Sequence, residues 1–518
     1  MRVETDIVQP IPMLPVSFVE GKSGAVGLFF IPVMKFELVI DYLVDAIGDS
    51  VKGMGVEDEK VNKRKEAEMC EAFERYICGL EGDEGCDFFK VAEGDVLFIY
   101  NGQYYEKVDM VKLTFIVKKV MERVNIGIVY QKNSQDKIAK ECFNGLIADE
   151  RCRFEPNRRY IVFNNGVLDT KDGKMYEHNI RFKTDIVLHI DYKKGQTSAL
   201  WDKLIMETIP DEGMRNAFQQ FCGGFLADRS EFKIEYMCLM VGSGRNGKSV
   251  VCEAITGLFG DELVSSYSPE DLFKSTQSEY RLADINGKLA NYADDVSNRD
   301  FSGGDFKRFI SGAKFQGRHI YGRPFTVTKI PLMLCCVNEI PPTSDDSQGH
   351  FRRILPILCP NQIADADVDV KLPQKLATEE TKMAIFNWIL EGYHKLVVCD
   401  GKIDISDSIK AIKEDIKEDS NSARRWIREM GYIKVVSIGP NDSRWKSVKE
   451  IMAEYMAYCK DFSESPKTSK SVSRLLNELG FEKKKMKDTT YYCLGVRELD
   501  QEKGVEVKNE NDEEDLPF

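Results

Sequence analysis

The chain has 518 residues, of which 42% are apolar and 30% charged, and it carries a net charge of −13. That length exceeds what one hydrophobic core fills and predicts about three or four domains. The acidic balance excludes a protein that coats nucleic acid over its whole surface, but not one that grips DNA inside a local basic channel. No apolar run reaches bilayer length, and the opening MRVETDIVQP lacks a secretory n-region and h-region, so a soluble protein without membrane contact is expected. The 14 cysteines and 5 histidines have no zinc-ligand spacing, which predicts reduced, buried thiols.

In chain order, residues 57–80 predict an amphipathic helix with a solvated charged face. DVLFIYNGQYYEKV (95–108) alternates around Asn101-Gly102 and predicts a hairpin, and RYIVFNNGVLDTKDGKMYEH (159–178) repeats a strand-turn pattern. Residues 201–228 turn helical. EYMCLMV (235–241) is a continuous apolar run, the mark of a buried parallel strand, and 231–397 alternates strands with helices as a doubly wound α/β domain does. A charged connector at 401–422 leads to a small helical unit ending in a hairpin (423–496). An acidic tail, 500–518, is too polar to fold alone. Residues 1–200 carry neither the paired acids and His of a primase nor a zinc ribbon, so no primer synthesis is expected. The D-x-D-x-D at 365–369 lacks the Gly and Glu of a calcium loop and reads as an acidic loop.

The strongest chemical signal is GSGRNGKS (242–249). A phosphate-binding loop needs glycines so that backbone N–H groups can wrap phosphate, a lysine for the outer phosphates and a hydroxyl for Mg²⁺. Gly242, Gly244, Asn246 and Gly247 form the wrap, Lys248 supplies the ammonium and Ser249 the hydroxyl; a buried strand precedes them and a helix-compatible run follows. Further on, KLANYADDVS (288–297) predicts a short strand ending in Asp294-Asp295, one carboxylate for Mg²⁺ and one to orient water. IPLMLCCVN (330–338) predicts a neighbouring strand tipped by Asn338, which can hold the water near the terminal phosphate. FRRI follows, and Arg352 or Arg353 can stabilise transition-state charge in a neighbour's site.

Between Phe306 and Asn338 lie six Lys or Arg residues and no acid, with His319, Tyr321 and Phe325 interleaved. In so acidic a chain this local reversal suits a surface that tracks phosphates and stacks bases.

The order of these elements resembles the superfamily 3 helicases, and more closely the phage, plasmid and poxvirus primase-helicase family. The resemblance runs over about residues 95–496, including FNNGVLDTKDGKMYEHNIRFKTDI (163–186), AFQQFCGGFLADRS (217–230) and SGAKFQGRHIYGRPF (311–325). It implies an α/β fold class: an AAA+-like P-loop ATPase domain with a helical collar (201–400), after an α+β N-terminal domain (1–200) and before a winged-helix-like C-terminal domain (401–499). It implies ATP and Mg²⁺ as cofactors, with Ser249 and Asp294 on the metal, Asp295 on the water and Asn338 as sensor. It also implies a homo-hexameric ring with ATP between subunits, and 3′→5′ movement on single-stranded and forked DNA. The family's pore hairpin falls on Lys314, Arg318 and His319; where relatives often carry another cation, this chain has Ile320. SKSVSRLLNELGF would be the recognition-type helix and KKKMKDTTYYCLG, with Lys483, Lys484, Lys485 and Lys487, the wing.

The end, NDEEDLPF (511–518), resembles the tip of bacterial single-stranded-DNA-binding proteins: Asp515, Leu516, Pro517 and Phe518 present acids, an aromatic ring and a carboxylate to a basic apolar pocket. It implies recruitment of host replication proteins that read that tip, a solubilising tail and a strap over the chain's own DNA channel being the other readings. The leading expectation is a replicative DNA helicase of a phage or mobile element, cytoplasmic in a bacterial host and served by a separate primase. An origin-binding initiator or loader ATPase is the alternative, and a protein-remodelling ATPase ranks behind both.

Overall fold

The fold is that of a computed structural model, which describes residues 36–51, 68, 70–77, 85–124, 134–294, 296, 304–340, 348–364, 366, 368–435, 439, 442–461, 466–486 and 488–496. Asp295, Lys487 and the tail residues Asp515, Leu516, Pro517 and Phe518 lie outside them, as do Asp365 and Asp367 and much of the helix expected over 57–80.

The first unit is an antiparallel sheet of β1 (Phe89–Ala92), β2 (Val96–Tyr100) and β3 (Tyr105–Val108), in that order. The β2–β3 connection is the hairpin expected at Asn101-Gly102: Tyr100 pairs with Tyr105, and the Asn101 side chain accepts from the Gln103 and Tyr104 amides. Helices Glu37–Val51, Met110–Arg123 and Ser134–Ala148 share its core, built around Phe36, Phe73, Phe89, Ile99, Tyr105 and Ile116. Asp109 caps the second helix by accepting from the Lys112 amide.

A second sheet has the order β6 (Met175–Tyr176), β5 (Gly166–Asp169), β4 (Tyr160–Phe163), β7 (Val187–Leu188). Its Ile161, Phe163 and Leu168 join the large core under the central sheet, together with Trp201, Phe218 and Phe386.

The central sheet is parallel, as the alternation of strands and helices requires. Its strands are β8 (Met237–Val241), β9 (Val264–Ser265), β10 (Ala290–Ala293), β13 (Leu332–Val337) and β14 (Ile354–Leu358), in spatial order β14-β8-β13-β10-β9. Thus β8 lies between β13 and β14, and the next strand in sequence, β9, sits at the far edge. Nearly every residue of these strands is buried, which is why β8, β13 and β14 read as unbroken apolar runs, whereas in β10 the buried Asn291 bonds Ser265 and the Tyr267 backbone. On one face, helices Glu212–Gly223 and Glu379–Val398 cross closely enough that a Cβ on Gly223 would lie 2.1 Å from the Tyr393 nitrogen, and one on Gly392 2.0 Å from the Gln219 carbonyl oxygen.

Between β10 and β13 the chain inserts an antiparallel hairpin, β11 (Phe315–Arg318) and β12 (Pro324–Val327). After helix Asp407–Ser420 comes a smaller unit: helices Ser422–Glu429, Val448–Asp461 and Ser469–Glu478, the two-stranded pair β15 (Tyr432–Ile433) with β19 (Gly495–Val496), and an antiparallel sheet ordered β16 (Trp445–Ser447), β18 (Thr489–Cys493), β17 (Lys483–Met486). Trp426, Tyr455 and Leu476 fill its core. Among the described residues no helix is long and apolar enough to cross a membrane.

Candidate active site

The glycine-rich loop leaves β8 at Val241 and enters helix Lys248–Phe259, whose first turn has no side-chain cap. Its N–H groups are therefore available to an anion, and the helix dipole favours one there. Gly244 (φ 99°) and Gly247 (φ 77°) adopt the left-handed conformation the wrap demands. Gly247 also has no room for a side chain, since a Cβ would meet the Thr208 hydroxyl oxygen at 2.8 Å.

Lys248 is 6% exposed; its ammonium donates to the Gly242 carbonyl at 2.5 Å and to Asn246 Oδ1 at 2.8 Å. Asn246 in turn donates to the Cys359 carbonyl at 2.9 Å, which pins the loop to the end of β14. Burial pushes the Cys359 thiol up to about 12 against the pull of the Lys248 ammonium, so this sulfur stays protonated and unreactive. Outside the loop, Ile363 N donates to the Arg245 carbonyl at 2.7 Å and Gln362 to Ser243 Oγ at 3.0 Å. Segment 359–363 is thus a brace that motif reading does not find, because nothing in its own sequence marks it.

Three strand ends meet the loop. Ser249 Oγ donates to Asp294 Oδ1 across 3.1 Å, at the tip of β10. Gly242 N donates to the Val337 carbonyl at 3.2 Å, which sets Asn338, exposed at the tip of β13, beside the start of the loop. Hydroxyl and carboxylate therefore meet at the C-terminal ends of the strands, with Lys248 next to Ser249 in sequence and Asn338 following β13. The Ser249–Asp294 pair offers two oxygen ligands of the kind a hard divalent cation takes when phosphates and water complete its shell.

The arginines sit at the opposite ends of the strands. Arg353's carbonyl accepts from Met237 N at 2.8 Å, at the first residue of β8, whereas the loop begins after its last. Five residues of strand separate the two, about 15 Å at roughly 3.3 Å per residue. The two side chains then diverge. Arg353 is held within its own chain by Ser311 Oγ at 2.9 Å and by the Gly349 carbonyl. Arg352 is 62% exposed, with Glu235 at 3.2 Å as its ion-pair partner. Burial works to raise the Glu235 carboxyl, but the Lys233 ammonium and the Ser311 hydroxyl outweigh it and hold it below the usual carboxylate range.

In the inserted hairpin the register pairs Phe315 with Val327 and Arg318 with Pro324, leaving 319–323 as the turn. Lys314 is exposed just before β11, and its carbonyl accepts from Arg308 at 2.8 Å. Arg318 lies back on the body, bonded to the Tyr280 hydroxyl at 3.0 Å with its guanidinium 5.4 Å from that ring's centroid. His319 stacks on Phe325 at 5.2 Å, against the Gly94 turn of the first sheet. Burial first, then the Lys107 ammonium, pushes the imidazole below its ordinary value, so His319 is neutral at pH 7. The apex consists of Ile320, 71% exposed, and Tyr321, 104% exposed. In the C-terminal unit Lys483 and Lys485 are exposed on β17, while Lys484 lies over the Trp445 ring at 4.0 Å.

Two family models match. Residues 70–210 match the D5 N terminal like family and residues 240–353 a family of unknown function, DUF5906. A protein of Acanthamoeba polyphaga mimivirus named "Putative helicase L207/L206" is 24% identical over 256 residues, covering 46% of this chain; the chain spans 26% of that relative's length. Two solved structures of the apo NrS-1 C terminal region are similar at TM-scores of 0.46 and 0.45, each 13% identical, covering 79% and 77% of this chain and 97% and 94% of theirs. The D5 N-terminal-like segment and the helicase-named viral relative together support kinship with the phage and viral primase-helicases.

Proposed function

We propose that this chain is an ATP-hydrolysing DNA helicase subunit of a phage or mobile element, of the superfamily 3 type. The observation that carries the reading is the 3.1 Å contact between Ser249 and Asp294, which brings the loop hydroxyl and a strand-tip carboxylate to one point beside Lys248. Ser249 and Asp294 would hold Mg²⁺, which would supply charge neutralisation at the phosphates. The chain's own contribution is the phosphate wrap of Gly242–Gly247, the Lys248 ammonium and the polar Asn338 at the adjoining tip, with Asp295 the candidate for orienting water. The strand order, with β8 between β13 and β14, supports an AAA+-like assignment.

The roughly 15 Å from loop to arginines supports action between subunits, since Arg352 does not reach its own loop. A homo-hexameric ring that moves 3′→5′ on single-stranded DNA, with Tyr321, Lys314 and Arg323 at the inward hairpins, follows from that reading. The C-terminal unit, with helix Ser469–Glu478 beside the lysine-rich β17–β18 hairpin, supports a winged-helix role on DNA. A separate primase, and host proteins that read the DLPF tip, complete the proposed partners.

The test is unwinding of forked DNA carrying a 3′ or a 5′ tail, with Lys248→Ala alongside. ATP-dependent unwinding with the 3′ tail, lost in Lys248→Ala, upholds the proposal. DNA-stimulated hydrolysis without unwinding favours the initiator or loader reading. No hydrolysis under either condition refutes both.

A further inference from the structure

Helix Asp407–Ser420 runs past the arginine turn just before the C-terminal unit begins, and it turns one cation toward that turn. Lys413 Nζ donates to the Arg352 carbonyl at 3.2 Å and lies 5.4 Å from the Tyr236 ring centroid. With the Met237–Arg353 bond on the other side, the Arg352–Arg353 turn is held both from the start of β8 and from this helix. The two anchors differ in kind: the first is part of the sheet, the second belongs to the segment that leads into the C-terminal unit.

The elements packed against this helix carry the following charged groups. Its own helix offers Lys410, paired with Asp407 at 2.8 Å, and Glu414. The residues before β8 offer Glu235 and Tyr236, and the turn offers Arg352 and Arg353. Helix Glu212–Gly223 contributes Glu212 and Arg215, and the short helix Gln348–Phe351 carries His350 in its sequence. Helix Ser422–Glu429 contributes Arg424, Arg425, Arg428 and Glu429. Strand β14 has no titratable side chain. Burial alone pushes the Lys413 ammonium down to about 8.

We propose that Lys413 is a positioning residue that sets the aim of Arg352 toward the neighbouring subunit and makes helix Asp407–Ser420 part of the hydrolytic interface. The proposal rests on the ATPase reading above. A neutral amine is a weaker donor to a carbonyl than an ammonium, so the clamp loosens as Lys413 loses its proton. The nucleotide is bound by another subunit's loop, so the effect falls on kcat and not on KM for ATP.

The experiment is steady-state ATP hydrolysis by the full chain from about pH 6.5 to about pH 9.5, in wild type, Lys413→Arg and Lys413→Met. Wild type loses kcat as pH rises through about 8. Lys413→Arg keeps activity at neutral pH and lacks that alkaline limb, because a guanidinium does not titrate there. Lys413→Met loses about tenfold in kcat, the size of one hydrogen bond from a charged group, with KM and Tm held. Mixed with Lys248→Ala, it regains hydrolysis beyond the sum of the two, since one variant brings an intact loop and the other an intact arginine. Wild-type kcat and an unchanged alkaline limb in both Lys413 variants overturn the proposal and leave the ATPase standing. A wild type that hydrolyses nothing overturns both. If Lys413→Met unfolds, the limb in Lys413→Arg decides.

Discussion

Ser249 and Asp294 stand 45 residues apart in sequence and bond directly, hydroxyl to carboxylate, where helix Lys248–Phe259 and strand β10 end against each other. That contact defines a small polar centre at the ends of the strands. Asp294→Asn keeps the shape and removes the charge. ATP hydrolysis is expected to fall by about a hundredfold or more, the loss typical of removing one preorganised electrostatic contact. Thermal stability should hardly change, because Asn still accepts from Ser249. Hydrolysis at the wild-type rate with an unchanged Mg²⁺ requirement would remove Asp294 from the site.

The two adjacent arginines have different surroundings and should fail differently. Arg352→Ala is expected to lower hydrolysis about a thousandfold, the lower end of what an arginine finger contributes, with Tm unchanged because the side chain is exposed. Mixing it with Lys248→Ala should restore part of the rate. Arg353→Ala strands the Gly349 carbonyl and leaves Ser311 bonded to Glu235 alone, so its signature is a lowered Tm, about 1–3 kcal/mol for a partner left unpaired. The opposite pattern, stability loss at Arg352 and catalytic loss at Arg353, would exchange the two roles.

Gly223 and Gly392 face each other's helices with backbone, not side chain, at the closest approach. Either residue changed to Ala gains helix propensity, about 1 kcal/mol, but must push two buried helices apart. The overpacking term, about 1–3 kcal/mol, outweighs it, and a net loss of up to about 2 kcal/mol is expected. A urea midpoint at or above that of wild type would show that the crossing is looser than its geometry implies.

Tyr321 is fully exposed at the hairpin apex with a φ of 61°, a strained conformation for a side chain of its size. Tyr321→Gly relieves that strain, so stability should hold or rise slightly. Binding to single-stranded DNA should weaken by about 1–3 kcal/mol, the stacking of one base. His319→Ala, by contrast, removes a ring that stacks on Phe325, and its first effect should be on folding. Fluorescence anisotropy with a labelled oligonucleotide separates the two; equal binding losses in both variants would mean that His319 leaves its packed position to reach DNA.

The glycine loop was legible because its chemistry lives in the backbone: phosphate needs consecutive free N–H groups on a left-handed path, which Gly244 and Gly247 take without strain and Arg245 shares at φ 52°, so the pattern survives in one dimension. Strands β8, β10 and β13 were legible for a similar local reason, each being buried on both faces. Their spatial order was not, because parallel strands pair across long stretches of chain and no residue of Val264–Ser265 says that it lies at the far edge. The hairpin shows the limit most clearly. Charge drew attention to Arg318 and His319, but pairing register decides which residues reach the apex, and Pro324 opposite Arg318 moves it to Ile320 and Tyr321. Lys413 carried no signal at all, being one lysine among several on a charged helix until the fold brings it against Tyr236 and the Arg352 carbonyl.

Loop and arginines lie at opposite ends of the strands of one sheet, which gives the chain a head and a tail. Under the proposed reading a lone copy holds two half-sites and no complete one. Copies then join by unlike surfaces, a geometry that closes into a ring when the rotation per copy divides the circle and runs on as a filament when it does not. Hydrolysis per chain would therefore climb with protein concentration and vanish on dilution, so that scattered copies spend no nucleotide until enough of them have gathered to complete each other.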